Sequence, residues 1–246
     1  MGTVLIWPNS FTLVFSIAAG QDSVDTLAPV EDSPQQQKAR ERMLRQQIVR
    51  RGINNARILE AMQHVPRHFF VPKEYQGRAY EDSPLPIGAG QTISQPYIVA
   101  YMTQLLQPGP DDRVLEIGVG SGYQTAILAE LAGEVVGIER IASLASSAAE
   151  RLNALGYDRV TIIARDGTLG FPERAPYNGI LVAAAGPRIP PSLVEQLTLF
   201  GKLIIPVGSN EAQLIKVVEK TPDGVEVSDL TPVRFVPLIG EEGWNE

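Results

Sequence analysis

Three glycines at alternate positions, Gly118, Gly120 and Gly122, follow directly on an apolar run, Val114, Leu115 and Ile117. Glycine carries no Cβ, so a turn built from it bends sharply and lets the backbone lie close to a ligand. The helix-like segment Tyr123 to Leu131 comes next, and its unpaired N–H groups turn toward the same place. A second apolar run, Val135 to Ile138, ends on Glu139, about 20 residues beyond the turn. A carboxylate at that strand tip can accept from both hydroxyls of a ribose. Asp166-Gly167 follows a third run, Val160 to Ala164, where the acid can accept from an adenine amino group and the glycine lets the base lie close. The set is suited to a nucleoside. Its spacing, G-x-G-x-G with tyrosine at position 123, departs from the G-x-G-x-x-G of dinucleotide sites, which disfavours a nicotinamide-dependent oxidoreductase. A glycine-rich turn in any α/β protein is the plain alternative.

Other reactive groups are sparse. The chain has no cysteine, which excludes disulfides and thiolate metal sites, and its two histidines, His64 and His68, flank Pro66. A zinc centre would need further ligands from carboxylates, and no metal is expected. Ser94 stands just ahead of Pro96, which fits the first turn of a helix running to about Leu106. Its hydroxyl either caps that helix or acts in catalysis, and spacing alone leaves both open. Arg67 and His68 in VPRHFFVP can contact an anionic substrate, although Phe69 and Phe70 favour docking of the segment onto the core.

These residues need elements to hold them. Basic residues from Lys38 to Arg51, with Met43, Leu44, Gln47 and Ile48 at helical spacing, predict an amphipathic helix ended by Gly52. A solvated face explains that charge better than a nucleic-acid arm. A second helix is expected over Asn54 to Gln63. Pro84, Pro86, Gly88 and Gly90 predict an irregular, mobile loop from Pro84 to Ser94. After the helix that ends near Leu155 and the strand Val160 to Ala164, strands are expected at Ile180 to Ala184 and Phe200 to Val207. An antiparallel finish around Gln213 to Glu219 and Val225 to Val227 follows.

The glycine turn with Glu116 inside its strand resembles the first motif of methyltransferases that use S-adenosyl-L-methionine (SAM). The run GQTISQPYIVAYMTQLL followed by VLEIGVGSGYQTAILAEL is similar to the protein-L-isoaspartate O-methyltransferase family. VPRHFFVP, DGTLGFPERAPYNGILVAAAGPRIPPSL, FGKLIIPVG and VRFVPL extend the resemblance over about Gln36 to Gly240. It implies a doubly wound, Rossmann-like α/β methyltransferase fold, with a mostly parallel sheet, antiparallel C-terminal strands and N-terminal helices. It further implies SAM as methyl donor, held by Glu116, Gly118, Gly120, Gly122, Glu139, Asp166 and Gly167. Ser94 is then the active-site residue, and Thr92, Ile93, Gln95, Val236 and Leu238 line the groove for isoaspartyl proteins and peptides. The chain departs from the family at Val119, where a small hydroxyl residue is commoner, and at Asn178, where an acid is usual. Weaker donor binding is the expected cost.

A carboxylate acceptor suits so sparse a chain. With an ordinary pKa of about 3.9 it is already ionised at neutral pH and needs no base to deprotonate it. A SAM methyltransferase for a small molecule or RNA, and a non-catalytic SAM-binding protein, are the rivals. The net charge of -7 argues against a nucleic-acid partner. With 246 residues, one α/β domain over 35–246 is expected, behind an apolar segment and linker over 1–34. Met1 to Gly20 has no charged side chain and imitates a signal peptide without its basic start, so export or a loose membrane anchor stands against a cytoplasmic location. The cytoplasm is favoured because SAM is a cytosolic metabolite. A monomer with no stable membrane partner is expected.

Overall fold

A computed structural model of the chain describes residues 13–15, 32–209 and 211–245. The expectations for Met1 to Gly20, apart from a strand at Leu13–Phe15, and for most of the linker lie outside the described residues. The linker's last residue is already helical: α1 begins at Pro34 and runs to Met43. Ser33 Oγ accepts from Gln36 N–H at 3.3 Å, and Gln36 Oε1 accepts from Ser33 N–H at 3.0 Å. This reciprocal cap starts the helix earlier than the polar composition suggests. The helix continues through tighter and wider turns to Arg51 and stops at Gly52, φ +89°.

Parallel strands form the centre. The first, β4 (Arg113–Ile117), lies between β5 (Glu134–Glu139) and β7 (Tyr177–Val182), with β6 (Val160–Ala164) beyond β5 and β8 (Leu197–Gly208) beyond β7. On the far edge β9 (Gln213–Thr221) and β10 (Gly224–Val233) are antiparallel; on the near edge β1 (Leu13–Phe15) pairs antiparallel with β6. Among the described residues the order is β1-β6-β5-β4-β7-β8-β9-β10. Val114, Leu115 and Ile117 are at most 2% exposed, as a strand covered on both faces requires. Because side chains alternate, Val114 and Glu116 share one face while Leu115 and Ile117 share the other.

Helices α4 (Tyr123–Leu131) and α5 (Ala142–Ala154) carry the crossovers, α6 (Pro191–Glu195) precedes β8, and α2 (Ala56–His64) packs against both α3 (Pro96–Leu106) and α4. The stretch from Pro84 to Ser94 is not a loop throughout. It forms a hairpin, β2 (Leu85–Gly88) with β3 (Gln91–Ile93), in register Leu85↔Ile93 and Pro86↔Thr92. The two residues at its tip, Ala89 and Gly90, both have positive φ, the sign pattern that matches the twist of a two-residue hairpin. The glycines that suggested a loop supply the turn, whereas Pro86 lies within β2. Among the described residues no helix is long and apolar enough to cross a membrane.

Candidate active site

The chain order reverses at β4, whose neighbours β5 and β7 leave in opposite directions. In such sheets the crevice outside the carboxyl ends of the strands at that point takes the ligand. Here a cleft of about 1030 Å3, counting its open mouth, lies there. Gly118 N–H donates to the Ile138 carbonyl at 2.8 Å and Gly122 N–H to the Val119 carbonyl at 2.9 Å, which closes the turn. Gly118, Gly120 and Gly122 have φ of +84°, +54° and +87°, so glycine is required by the backbone itself. Glu139, at the tip of β5, accepts from Gly120 N–H and from Ile141 N–H, both at 2.9 Å. Each oxygen keeps a further lone pair, and the residue lines the cleft.

Glu116 lines the same cleft from β4, is 0% exposed, and neither carboxyl oxygen has a hydrogen-bond partner. Burial pushes its carboxyl up to about 8; the Thr125 hydroxyl, close by but outside hydrogen-bonding geometry, opposes the rise, and Glu139 adds to it. A buried acid without a partner is costly unless something arrives to satisfy it. The chemistry that would do so is a cation or a hydrogen-bond donor brought by the ligand. Together with the glycine turn and Glu139, the residues fit a nucleoside that carries positive charge, as an adenosyl sulfonium does.

Gly167 lines the cleft against Ile117, and a Cβ there would stand 2.4 Å from Ile117 Cγ2. Asp166 does not line it. Its Oδ1 accepts from Thr168 N–H and Thr168 Oγ1, both at 2.8 Å, and its Oδ2 from Glu241 N–H at 2.8 Å. The acid expected to meet an adenine amino group therefore ties the loop after β6 to the C-terminal segment.

On the acceptor side, Thr92, Ile93 and Ser94 line the cleft from the end of the hairpin. The N-cap of α3 is Gln95, with no side-chain cap, so the Ser94 hydroxyl does not serve the helix. Gln95 itself departs from expectation. Its amide turns to the Asp82 carboxylate at 2.7 Å and the Asp82 carbonyl at 3.2 Å, and it does not line the cleft. The opposite wall comes from far along the chain. Ala185 N–H donates to the Val236 carbonyl and Leu238 N–H to the Ala185 carbonyl, both at 2.8 Å, which lays Val236 to Leu238 beside the turn after β7. Gln213, 5% exposed, holds Phe235 by both backbone groups.

Val119 lines the cleft and is 3% exposed; a Cβ on Gly137 would stand 2.6 Å from its Cγ2, so it packs onto β5. Asn178 lies at the opposite end of the sheet, where its Oδ1 accepts from Arg113 N–H at 3.0 Å. That departure from the family pattern does not touch the cleft. His64 is exposed and bonds Glu130 at 3.1 Å; His68 is buried against the Tyr80 hydroxyl at 2.8 Å, and neither lines the cleft. Ile98, Met102, Tyr123, Ile141 and Phe235 line it without having been singled out. The i, i+4 pair Ile98 and Met102, one helical face directly after Ser94, was the available signal.

The chain matches the family model described as Protein-L-isoaspartate(D-aspartate) O-methyltransferase over residues 37–243. It is 55% identical over 206 residues to the "Protein-L-isoaspartate O-methyltransferase" of Methanoregula boonei, covering 84% of this chain and 95% of the relative. It is 51% identical over 209 residues to "Protein-L-isoaspartate O-methyltransferase 1" of Syntrophobacter fumaroxidans, covering 85% and 98%. Among solved structures, a protein-L-isoaspartate O-methyltransferase superposes with a TM-score of 0.77 at 27% identity, over 83% of this chain and 67% of that one. A Plasmodium falciparum structure described as a putative member, in complex with S-adenosyl-L-homocysteine, gives 0.71 at 26% identity, over 83% and 98%.

Proposed function

This chain belongs to the protein-L-isoaspartate O-methyltransferase family, and from that membership we propose how its cleft divides the work of one reaction. The reaction is SAM-dependent methylation of the free α-carboxylate of L-isoaspartyl residues in damaged proteins and peptides. The ester can then close to a succinimide and reopen partly as normal aspartate. When bound, the donor supplies an electrophilic methyl group on a sulfonium.

Gly118, Gly120 and Gly122 give the donor a close backbone approach, Glu139 takes its ribose, Glu116 meets positive charge, and Gly167 leaves room for the base. Asp166 supports that wall from outside by fixing Thr168 and Glu241. Ser94 orients the acceptor carboxylate through its hydroxyl, while Thr92, Ile93, Val236 and Leu238 form the groove for the kinked peptide. Gln95 holds the Asp82 loop beside that groove rather than touching substrate. Positioning two reactants in one site can lower a barrier by about 7–11 kcal/mol in ideal cases, and an ionised carboxylate asks for little else.

One observation carries the assignment. Ser94, the glycine turn, Glu116 and Glu139 line a single cleft that contains no histidine, an arrangement suited to an acceptor that needs no base. Residues of one chain complete this cleft, which supports a monomer. The net charge of -7 supports protein rather than nucleic-acid partners, and the origin of SAM supports a cytoplasmic site of action. Residues 35–246 are assigned to the methyltransferase domain.

The test is incubation with labelled SAM and an isoaspartyl peptide beside its normal aspartyl twin. Label should enter only the isoaspartyl peptide, as a base-labile ester. Equal labelling of both, or of neither, would refute the assignment.

A further inference from the structure

We propose that Arg67 is a positioning residue for the acceptor carboxylate: it holds the Ser94 turn from behind the cleft wall and sets an un-neutralised positive charge beneath the acceptor. The inference rests on the reading of the cleft given above. Arg67 is 0% exposed. Its Nε donates to the Ala79 carbonyl at 2.7 Å and its Nη2 to the Ser94 carbonyl at 2.8 Å. The guanidinium carbon lies 4.9 Å from the centroid of the Tyr123 ring. Ser94 and Tyr123 both line the cleft, so Arg67 touches two of its wall residues without entering it.

The fold does not account for the charge. Two neutral carbonyls and an aromatic face can be served by a neutral donor, whereas burying a cation without an anion is expensive. Among the described residues Arg67 forms no ion pair with a carboxylate, and its Nη1 has no hydrogen-bond partner. Desolvation lowers its pKa only to about 10, so it stays charged at neutral pH. A second member of the pair must come from outside the chain, and the acceptor brings a carboxylate to Ser94. In a partly desolvated site that attraction is strong enough to select an anion over a neutral twin.

The experiment compares binding, with S-adenosyl-L-homocysteine present, of two peptides identical except that the branched residue carries a free α-carboxylate or an α-carboxamide. The wild type should prefer the carboxylate by about tenfold or more. Arg67→Gln, which keeps donors but no charge, should lose most of that preference while binding the carboxamide within about twofold of wild type. Arg67→Lys, which keeps charge but not the two-carbonyl fork, should retain the preference and lose kcat. If Arg67→Gln weakens both peptides equally, or neither, Arg67 is a structural tie only and the proposal fails. If Arg67→Gln does not fold, judged by S-adenosyl-L-homocysteine binding and Tm, Arg67→Lys decides: preference retained with lower kcat supports the proposal, and preference lost or kcat unchanged overturns it. A wild type that methylates no isoaspartyl peptide defeats the functional reading first and this inference with it.

Discussion

Gly120 N–H donates to Glu139 Oε2 at 2.9 Å, so the acid at the tip of β5 braces the glycine turn beside which it lines the cleft. The second oxygen accepts from Ile141 N–H at the start of α5. Glu139→Gln would force an amide group against one of these two donors and remove the charge that strengthens both bonds. Hydrogen bonds to a charged group contribute about 1.5–3 kcal/mol, so S-adenosyl-L-homocysteine should bind about 10- to 100-fold more weakly. Calorimetric titration of the variant checks this, and an unchanged Kd would remove Glu139 from the donor site.

Glu116 makes donor binding and stability depend on pH in opposite ways. Its folded-state pKa of about 8 lies above the ordinary 4.5, so the free protein holds a proton that the unfolded chain releases. That contribution to stability is complete below about 4.5 and is lost as pH rises through about 8. The Tm of the free wild type should therefore fall relative to Glu116→Gln between pH 5 and 8. A ligand cation reverses the preference and expels the proton. Titrations of SAM, which carries the sulfonium, at pH 7 in buffers of different ionisation enthalpy should show proton release approaching one per site. The release should vanish in Glu116→Gln; persistence there would assign the linkage to another group.

Much of this was legible before any coordinates. The strand, glycine turn, helix, strand and acid from Arg113 to Glu139 have strong periodicity and local backbone demands, and they fold as expected. What escaped was non-local. Nothing near Asp166 in the chain announces that its partner is Glu241, and nothing near Gln95 points to Asp82, so neither tie was expected. The Pro84 to Ser94 hairpin was hidden because its turn residues outnumber its apolar ones. Leu85, Ile87 and Ile93 still mark the strands, and Ile87 Cδ1 would lie 3.1 Å from a Cβ on Gly120.

Ser94→Ala separates the two roles that spacing left open. The N-cap of α3 is Gln95, and no side chain caps the helix. Loss of a true cap costs about 1 kcal/mol of stability, so an unchanged Tm is expected here. Loss of a hydroxyl that orients the acceptor should lower kcat/KM for an isoaspartyl peptide about 10- to 100-fold, with donor affinity unaltered. Full activity in the variant would exclude the orienting role.

Gly240 has no room for a side chain. A Cβ there would stand 2.1 Å from Asp166 Oδ1 and 2.6 Å from Asp166 Cγ, and that carboxylate is held by Thr168 and Glu241. The carboxylate cannot swing aside without breaking those bonds, so Gly240→Ala must displace the backbone instead. The displaced segment carries Leu238, which lines the cleft and is 4% exposed. Overpacking of this kind costs about 1–3 kcal/mol, measured by denaturant unfolding, and should raise KM for the peptide more than it lowers kcat. Asp166→Ala removes the obstruction but also three hydrogen bonds. The double variant should therefore be less destabilised than the sum of the singles by more than about 0.5 kcal/mol. Strict additivity would show that the two residues do not press on each other.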